Sequence, residues 1–265
     1  MIDYIEKTAL YERRRHTMKP IYEPTGKAKE YGDYALNIYT GCPHRCYYCF
    51  APNVLHKQKE QFWSVVKPRP NIVEETRKQL QREKITGKTI HLCFTCDPYP
   101  TGYDTTTTRE IIKAIKESGN HVQILTKGDG SRDFDLLDGE DWYGITYAGY
   151  DAKYVIDDIT CPEEPGAISP HVRIQNLYEA HKQGIKTWIS FEPILNAVDV
   201  LNYLELNPSY VDRVKIGKLN YHPSDIDWAD FGRRAERICQ VNGMDYYIKE
   251  SLRKEMRQTY EQPIS

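Results

Sequence analysis

The chain has 265 residues, 40% hydrophobic and 28% charged, which is enough apolar content for one large core and too much for global disorder. Lys plus Arg number 36 and Asp plus Glu 38, a net charge of −2, so no global basic field marks a nucleic-acid binder. The absence of a long apolar run and of a signal-peptide core predicts neither a membrane span nor export. Seven cysteines, three of them bunched, suit metal-ready thiols in a reducing cytoplasm better than a disulfide framework.

Residues 1–30 lack periodicity, contain Pro20 and Pro24, and are basic through Arg13, Arg14, Arg15, His16, Lys19, Lys27 and Lys29. They are expected to form a solvated N-terminal arm, with phosphate contacts as the alternative use of its charge. Alternation over 34–39, ended by Gly41, predicts a strand running into the cysteine-rich loop. Beyond Pro68 and Pro70 the polar stretch 71–84 predicts a helix, followed by a strand over 89–94 that Pro98 cannot continue. Thr107 and Glu110 have capping-box spacing ahead of a helix carrying Ile111, Ile112, Ala114 and Ile115, with Gly119 as its stop. Strands are predicted over 121–126 and 142–147, then a long loop from about 149 to 168. Ser169 and Pro170 supply an N-cap and an N1 proline for a helix ending near Gly184. A strand over 185–191, a short helix over 199–206, a strand over 211–216, a helix over 225–242 and a strand over 244–248 complete the pattern.

Six or seven strands alternating with helices predict an α/β fold with a parallel sheet and right-handed crossovers. The count falls short of eight, so the expected architecture is an open, partial (β/α)6 TIM-type barrel. It divides into an N-terminal arm (1–30), a barrel core (31–222) and a C-terminal extension (223–265) whose helix and strand complete the domain. The segments after the strands carry most of the chemistry: the cysteines, Thr95-Cys96-Asp97, Thr126-Lys127, Tyr147 to Tyr150, Glu192, Lys218 with Asn220, and Lys249 with Glu250. In βα barrels these loops share the C-terminal rim, where active sites lie.

Cys42, Cys46 and Cys49 stand in C-x3-C-x2-C spacing, with Tyr48 before the last. Two readings of three thiols at this spacing remain open. They could hold one zinc ion, completed by His44 or a distant residue, in a non-enzymatic module. They could instead hold three irons of a [4Fe-4S] cluster, leaving the fourth iron for a reacting ligand. No second zinc knuckle follows the triplet, because Cys93 and Cys96 lie at the end of another predicted strand.

In this setting the residues resemble the radical S-adenosylmethionine (SAM) superfamily, and within it the branch containing spore photoproduct lyase. The resemblance rests on Asn37-Ile38-Tyr39, Gly41-Cys42-Pro43-His44, Cys46-Tyr47-Tyr48-Cys49, Thr95, Asp97-Pro98-Tyr99 and Thr126-Lys127. It continues through Arg132-Asp133, Glu164-Pro165-Gly166-Ala167, Arg173 and Glu192-Pro193. It implies one [4Fe-4S] cluster on Cys42, Cys46 and Cys49, with SAM chelating the open iron. Reductive cleavage of SAM would give a 5′-deoxyadenosyl radical that abstracts hydrogen from a substrate, either a nucleic acid or, alternatively, a peptide or small metabolite. The electron would come from an external flavodoxin- or ferredoxin-type donor. The resemblance places Asp97 at the ammonium of SAM, Lys127 at its carboxylate, and Thr146 and Glu192 at ribose or adenine. Tyr48 would pack near the adenine, and Cys96 stands where spore photoproduct lyase has a serine. That enzyme's hydrogen-donor cysteine corresponds to Phe94 here, so thymine-dimer repair transfers only weakly. Cys93 is expected in the core, while Cys161 and Cys239 are isolated and supply no second cluster.

Overall fold

In the computed structural model, which describes residues 19–150 and 160–258, eight strands lie side by side in chain order in one sheet. β1 (Ile21–Tyr22) pairs antiparallel with β2 (Tyr34–Leu36). From β2 onward every pairing is parallel, through β3 (Thr89–Leu92), β4 (His121–Thr126), β5 (Trp142–Thr146), β6 (Lys186–Phe191), β7 (Arg213–Ile216) and β8 (Tyr246–Ile248). The described ladders do not join β8 back to β1, so the sheet stays open. The partial-barrel expectation holds, with seven parallel strands in place of six.

The helices are α1 (Ala51–Val54), α2 (Lys59–Ser64), α3 (Ile72–Glu83), α4 (Thr106–Glu117), α5 (Pro170–Lys182), α6 (Ala197–Leu206), α7 (Trp228–Val241) and α8 (Glu250–Gln258). None of the described helices is long and apolar enough to cross a membrane. β4 shows how the sequence sorts the two faces of the sheet. Val122, Ile124 and Thr126 are buried, while His121, Gln123 and Leu125 are partly exposed on the other face. Ile111, Ile112, Ala114 and Ile115 of α4 are fully or nearly fully buried. Each large aliphatic side chain so buried contributes about 1.5–3 kcal/mol.

Side-chain caps set several helix starts. Ser169 Oγ accepts from Val172 N (3.3 Å), as expected for α5. Asn196 Oδ1 accepts from Asp199 N (3.1 Å) and Asp227 Oδ1 from Asp230 N (2.9 Å), so α6 begins earlier and α7 later than the periodicity suggests. The Thr107–Glu110 capping box does not form. Asp104 Oδ1 accepts from Thr106 N (2.9 Å) and Thr106 Oγ1 (2.6 Å), and this turn starts α4 ahead of that position.

The N-terminal arm divides differently from expectation. Residues 1–18 lie outside the described residues, as do residues 151–159 of the long loop. Residues 19–30 belong to the fold. Gln79 of α3 bonds the backbone of Ile21 in both directions, accepting from its N (2.9 Å) and donating to its O (2.8 Å), which pins β1 at the sheet edge. The 3-10 turn Gly26–Glu30 then reaches the opposite end of the sheet. Lys27 Nζ donates to Asn220 (2.7 Å), Glu250 N to Glu30 Oε2 (3.1 Å), and Lys215 Nζ to the carbonyls of Glu30 (2.9 Å) and Tyr31 (3.3 Å). A segment between β1 and β2 thus bridges to β7 and α8 and straps the open side of the barrel.

The strap also carries Tyr31 into the interior. Its ring lies 5.5 Å from His91, 5.6 Å from Phe94 and 6.0 Å from Trp188. Gln123 Nε2 donates to the Tyr31 carbonyl (3.1 Å). Gly144 is needed at this level, because a Cβ there would fall 2.1 Å from Trp188 Nε1. The inner face is therefore polar and aromatic, filled by a side chain from outside the strands.

Candidate cofactor site

The loop after β2 carries the three cysteines, and its path is fixed by backbone contacts. Cys42 N donates to Phe62 O (3.0 Å) and Cys49 N to Cys46 O (3.1 Å). Gly41 has no room for a side chain, since a Cβ would meet Phe62 O at 2.4 Å. Across the loop Gly166 N donates to His44 O (3.0 Å), and a Cβ on Gly166 would lie 2.1 Å from Pro43 O. The Glu164-Pro165-Gly166-Ala167 turn is pressed against the cysteine loop and holds it from one side.

All three thiols are free; Cys46 is buried and the other two partly exposed. Burial, then Asp97 and Cys46, push Cys42 well up; burial raises Cys49; and burial pushes Cys46 up to about 12 against the pull of Lys127. Thiols so disposed stay protonated until a metal displaces the proton. Among the described residues, the group of three His, Cys, Asp or Glu whose ligand atoms all lie within 4.8 Å is His121, Asp138 and Asp141, where Lys116 already pairs with both carboxylates. The cysteine triplet is not drawn in that closely. One tetrahedral ion with bonds of about 2.3 Å needs its sulfurs roughly 4 Å apart, whereas a cluster spreads its thiolates over separate irons. His44 is also committed elsewhere. Its Nε2 accepts from Thr101 N (3.3 Å), which leaves the proton on Nδ1, 3.4 Å from Asp97 Oδ2. Burial lowers its pKa against the opposing pull of Asp97. The donor set fits a three-cysteine cluster better than a zinc ion completed by His44.

Asp97 is the node of the neighbouring loops. Its Oδ1 accepts from Tyr99 N (2.8 Å) and Thr126 Oγ1 (2.5 Å), and its Oδ2 from Lys127 N (2.9 Å), with His44 Nδ1 beside it. Four donors meet two oxygens, so the carboxylate is satisfied within the chain. In this structure the Asp97 carboxylate braces the loops after β3 and β4; its expected contact with the ammonium of SAM stays a proposal.

Lys127 is partly exposed, with Nζ 5.6 Å from the centre of the Tyr48 ring, and its ammonium donates to no acceptor among the described residues. Burial works against its charge, yet Cys46 and Glu164 outweigh it and its pKa ends raised. The Tyr48 hydroxyl donates to Glu164 Oε1, away from the ring's Lys127 face. Glu164 and Arg173 form a fully buried ion pair (2.6 Å), and Tyr150 OH donates to Glu164 (3.0 Å). Burial opposes the charge of Glu164, but Arg173 and Lys127 hold its pKa below the usual value. Arg173 also donates to Ile168 O (2.9 Å) and Thr146 O (3.2 Å). This pair was quoted in the sequence only as part of a resemblance. No local pattern assigns it a role, because its two halves meet only across α5 and the 160–168 turn.

The remaining expected contacts are placed as follows. Thr146 is buried at the end of β5 and meets Arg173 through its carbonyl. Cys96 Sγ accepts from Tyr39 N (3.4 Å). Glu192 accepts from Tyr31 OH (2.8 Å), Asn220 Nδ2 (3.1 Å) and Lys249 Nζ, so its carboxylate is bound to the strap and to the ends of β7 and β8. The structure brings Cys46, Tyr48, Lys127, Glu164 and Arg173 into one group and assigns Glu192 to the barrel interior.

Comparisons with known proteins agree with this architecture. An uncharacterised protein of Acidianus two-tailed virus is 27% identical over 184 residues, 65% of this chain and 60% of that one. An uncharacterised protein of Methanocaldococcus jannaschii is 30% identical over 175 residues, 63% of this chain and 62% of that one. The chain thus spans about three fifths of the length of these curated relatives. A spore photoproduct lyase variant with bound AdoMet and dinucleoside spore photoproduct superposes with a TM-score of 0.62 at 14% identity, over 85% of this chain and 78% of that one. Streptococcus suis SuiB bound to precursor peptide SuiA gives 0.61 at 13% identity, over 85% and 51%. Both likenesses are of fold. The family model of the Radical SAM superfamily matches residues 36–198, from the end of β2 into α6. That span takes in the cysteine loop, the Asp97 brace and the Glu164–Arg173 pair, and the chain belongs to the radical SAM superfamily of enzymes.

Proposed function

We propose that the protein binds a [4Fe-4S] cluster through Cys42, Cys46 and Cys49, binds SAM beside it, and acts on its substrate by hydrogen-atom abstraction. The observation that carries this reading is the Lys127 ammonium, held over the Tyr48 ring beside Cys46 with no acceptor of its own among the described residues. When bound, such a cluster supplies the one electron that cleaves SAM reductively to a 5′-deoxyadenosyl radical. In this reading Lys127 gives the carboxylate of SAM a charge-assisted contact. Asp97 acts from behind, holding the Lys127 backbone and, through His44, the cysteine loop. Glu164 and Arg173 fix Tyr48, whose ring face is left for the adenosyl part, and Thr146 stands at the adjoining strand end. An external flavodoxin- or ferredoxin-type protein would supply the electron.

For the substrate the exposed rim favours a nucleic acid. Tyr47 is 42% and Tyr221 81% exposed, the Tyr47 ring lies 5.2 Å from His222, and Lys27 Nζ lies 4.9 Å from the Tyr221 ring. Aromatic faces beside cations suit stacked bases and phosphates. The two structural neighbours carry different ligands, a dinucleoside and a peptide, so fold alone does not choose.

Anaerobic reconstitution is expected to load about four irons and four sulfides per chain and, with reductant, to release 5′-deoxyadenosine from SAM. A colourless protein that keeps zinc and never cleaves SAM would refute the proposal. Lys127→Met is expected to retain iron while weakening SAM binding on the order of tenfold or more, the loss of about one charge-assisted hydrogen bond. Salt-dependent binding of single-stranded DNA or RNA, weakened in Lys27→Ala and Tyr221→Ala, supports the nucleic-acid reading. Binding of neither points to a peptide or small metabolite.

A further inference from the structure

Two cysteines outside the cluster loop meet in a way the proposed chemistry does not use. Cys93 and Cys96 are three residues apart in the bend that follows β3. Cys93 adopts a left-handed backbone, φ 69°, unusual for a residue other than glycine. Its amide donates to Leu36 O (2.8 Å), and the turn brings both sulfurs against the Ile38–Tyr39 backbone. There Tyr39 N donates to Cys96 Sγ (3.4 Å), and the Cys93 thiol lies beside the same sulfur. Cys93 is 6% exposed, while Cys96 is partly open. The other cysteines outside the triplet differ: the Cys161 thiol donates a hydrogen bond to Glu163 Oε2 (2.7 Å), and Cys239 is fully buried in α7.

We propose that Cys93 and Cys96 form a dithiol site that reacts with small-molecule disulfides and closes to an intramolecular disulfide. Cys96 is the attacking sulfur. As a thiolate it displaces one thiol from the external disulfide and keeps the other half as a mixed disulfide. Cys93, after losing its proton, attacks Cys96 Sγ, the second external thiol leaves, and the Cys93–Cys96 bond forms. The two cysteines lose two electrons and two protons, and the external disulfide gains both as two thiols. The environments match these roles. Burial pushes both thiols up, but the hydrogen bonds from Cys93 and from the Tyr39 backbone outweigh it at Cys96, which ends below its ordinary value. Cys93 goes well above its own, through burial and then Cys96. A partly open, stabilised thiolate beside a buried partner two residues removed is the arrangement of C-x2-C redox pairs. The bond would tie off the bend that presents Asp97, so the site adjoins the cofactor loops without depending on a cluster being bound.

The test uses the full chain, anaerobically reconstituted, titrated with oxidised glutathione, quenched with an alkylating agent and mapped by mass spectrometry. The peptide spanning 89–109 is expected to lose two hydrogens and to resist alkylation at both cysteines. In Cys93→Ser, glutathione is expected to remain on Cys96, at a rate on the order of tenfold or more above that of Cys239. In Cys96→Ser, Cys93 is expected to stay reduced. The proposal is overturned if both thiols remain alkylatable in the wild-type chain, if glutathione stays on Cys96 there without closing the internal bond, or if Cys93 pairs with Cys161 or Cys239. None of these readouts requires SAM cleavage, so failure here and failure of the radical SAM reading are distinguishable.

Discussion

Glu164 and Arg173 show how a single buried pair organises the cofactor site. Arg173 neutralises a carboxylate with no exposed surface, and that carboxylate in turn receives the Tyr48 and Tyr150 hydroxyls. Arg173→Leu leaves a buried charge unpaired and is expected to cost about 3–5 kcal/mol of stability, measured by urea unfolding of the apoprotein. Tyr48→Phe removes one hydrogen bond to a charged acceptor and is expected to cost about 1–3 kcal/mol. His91 carries the pH dependence at this scale. Burial first, then Lys215 and Lys249, push its pKa down to about 3, and the residue sits neutral with Nδ1 beside Gln123 Nε2 (3.0 Å). The unfolded chain takes up a proton near pH 6.5 that the folded chain refuses, so stability is full above about 6.5 and falls as pH drops towards about 3. His91→Phe is expected to flatten the change in urea midpoint between about pH 7 and pH 5. An unchanged slope would place the acid sensitivity elsewhere.

At the scale of elements, the cysteine loop holds its shape through close backbone approach more than through its own hydrogen bonds. The turn at Gly166 lies against Pro43 and His44 with no space for a methyl group, and Gly128 lies against Tyr99 O, where a Cβ would sit at 1.8 Å. Gly166→Ala must push the 160–168 turn off the cysteine loop. It is expected to keep the circular-dichroism spectrum of the fold but to bind well under the roughly four irons of the parent on reconstitution, and full iron loading would show that the contact is dispensable. What makes Gly166 and Gly128 necessary is a neighbour distant in sequence, which no local pattern records.

For the molecule as a whole, the strap changes the meaning of the basic arm. Residues 19–30 supply β1, the Lys27 and Glu30 links and the approach to Tyr31, so they hold the open barrel together. Truncation of residues 1–18 is expected to leave the folded chain intact in thermal unfolding. Truncation of 1–30 is expected to lower its melting temperature by several degrees or more, at roughly 2–4 °C per kcal/mol for a chain this large. Nucleic-acid binding lost on removing 1–18 alone would assign it to Arg13, Arg14, Arg15 and His16; binding lost only with 1–30 would reflect damage to the fold.

The sequence by itself determined the parallel α/β pattern, the open barrel, the strand-end position of the cysteines and the family. The pattern, the barrel and the position of the cysteines follow from period-2 and period-3.6 patterning and from turn residues, all of which are local, while the family entered through the resemblance carried by the quoted motifs. Only the tertiary structure decided that Asp97 is already saturated, that Glu192 serves the interior with Tyr31 and Lys249, and that Glu164 meets Arg173 beneath Tyr48. A carboxylate looks the same in sequence whether it faces a ligand or a backbone amide. The difference lies in which donors the fold brings within about 3 Å of it, and the deciding ones, Lys127 N for Asp97 and Tyr31 OH and Lys249 Nζ for Glu192, come from segments tens to more than a hundred residues away.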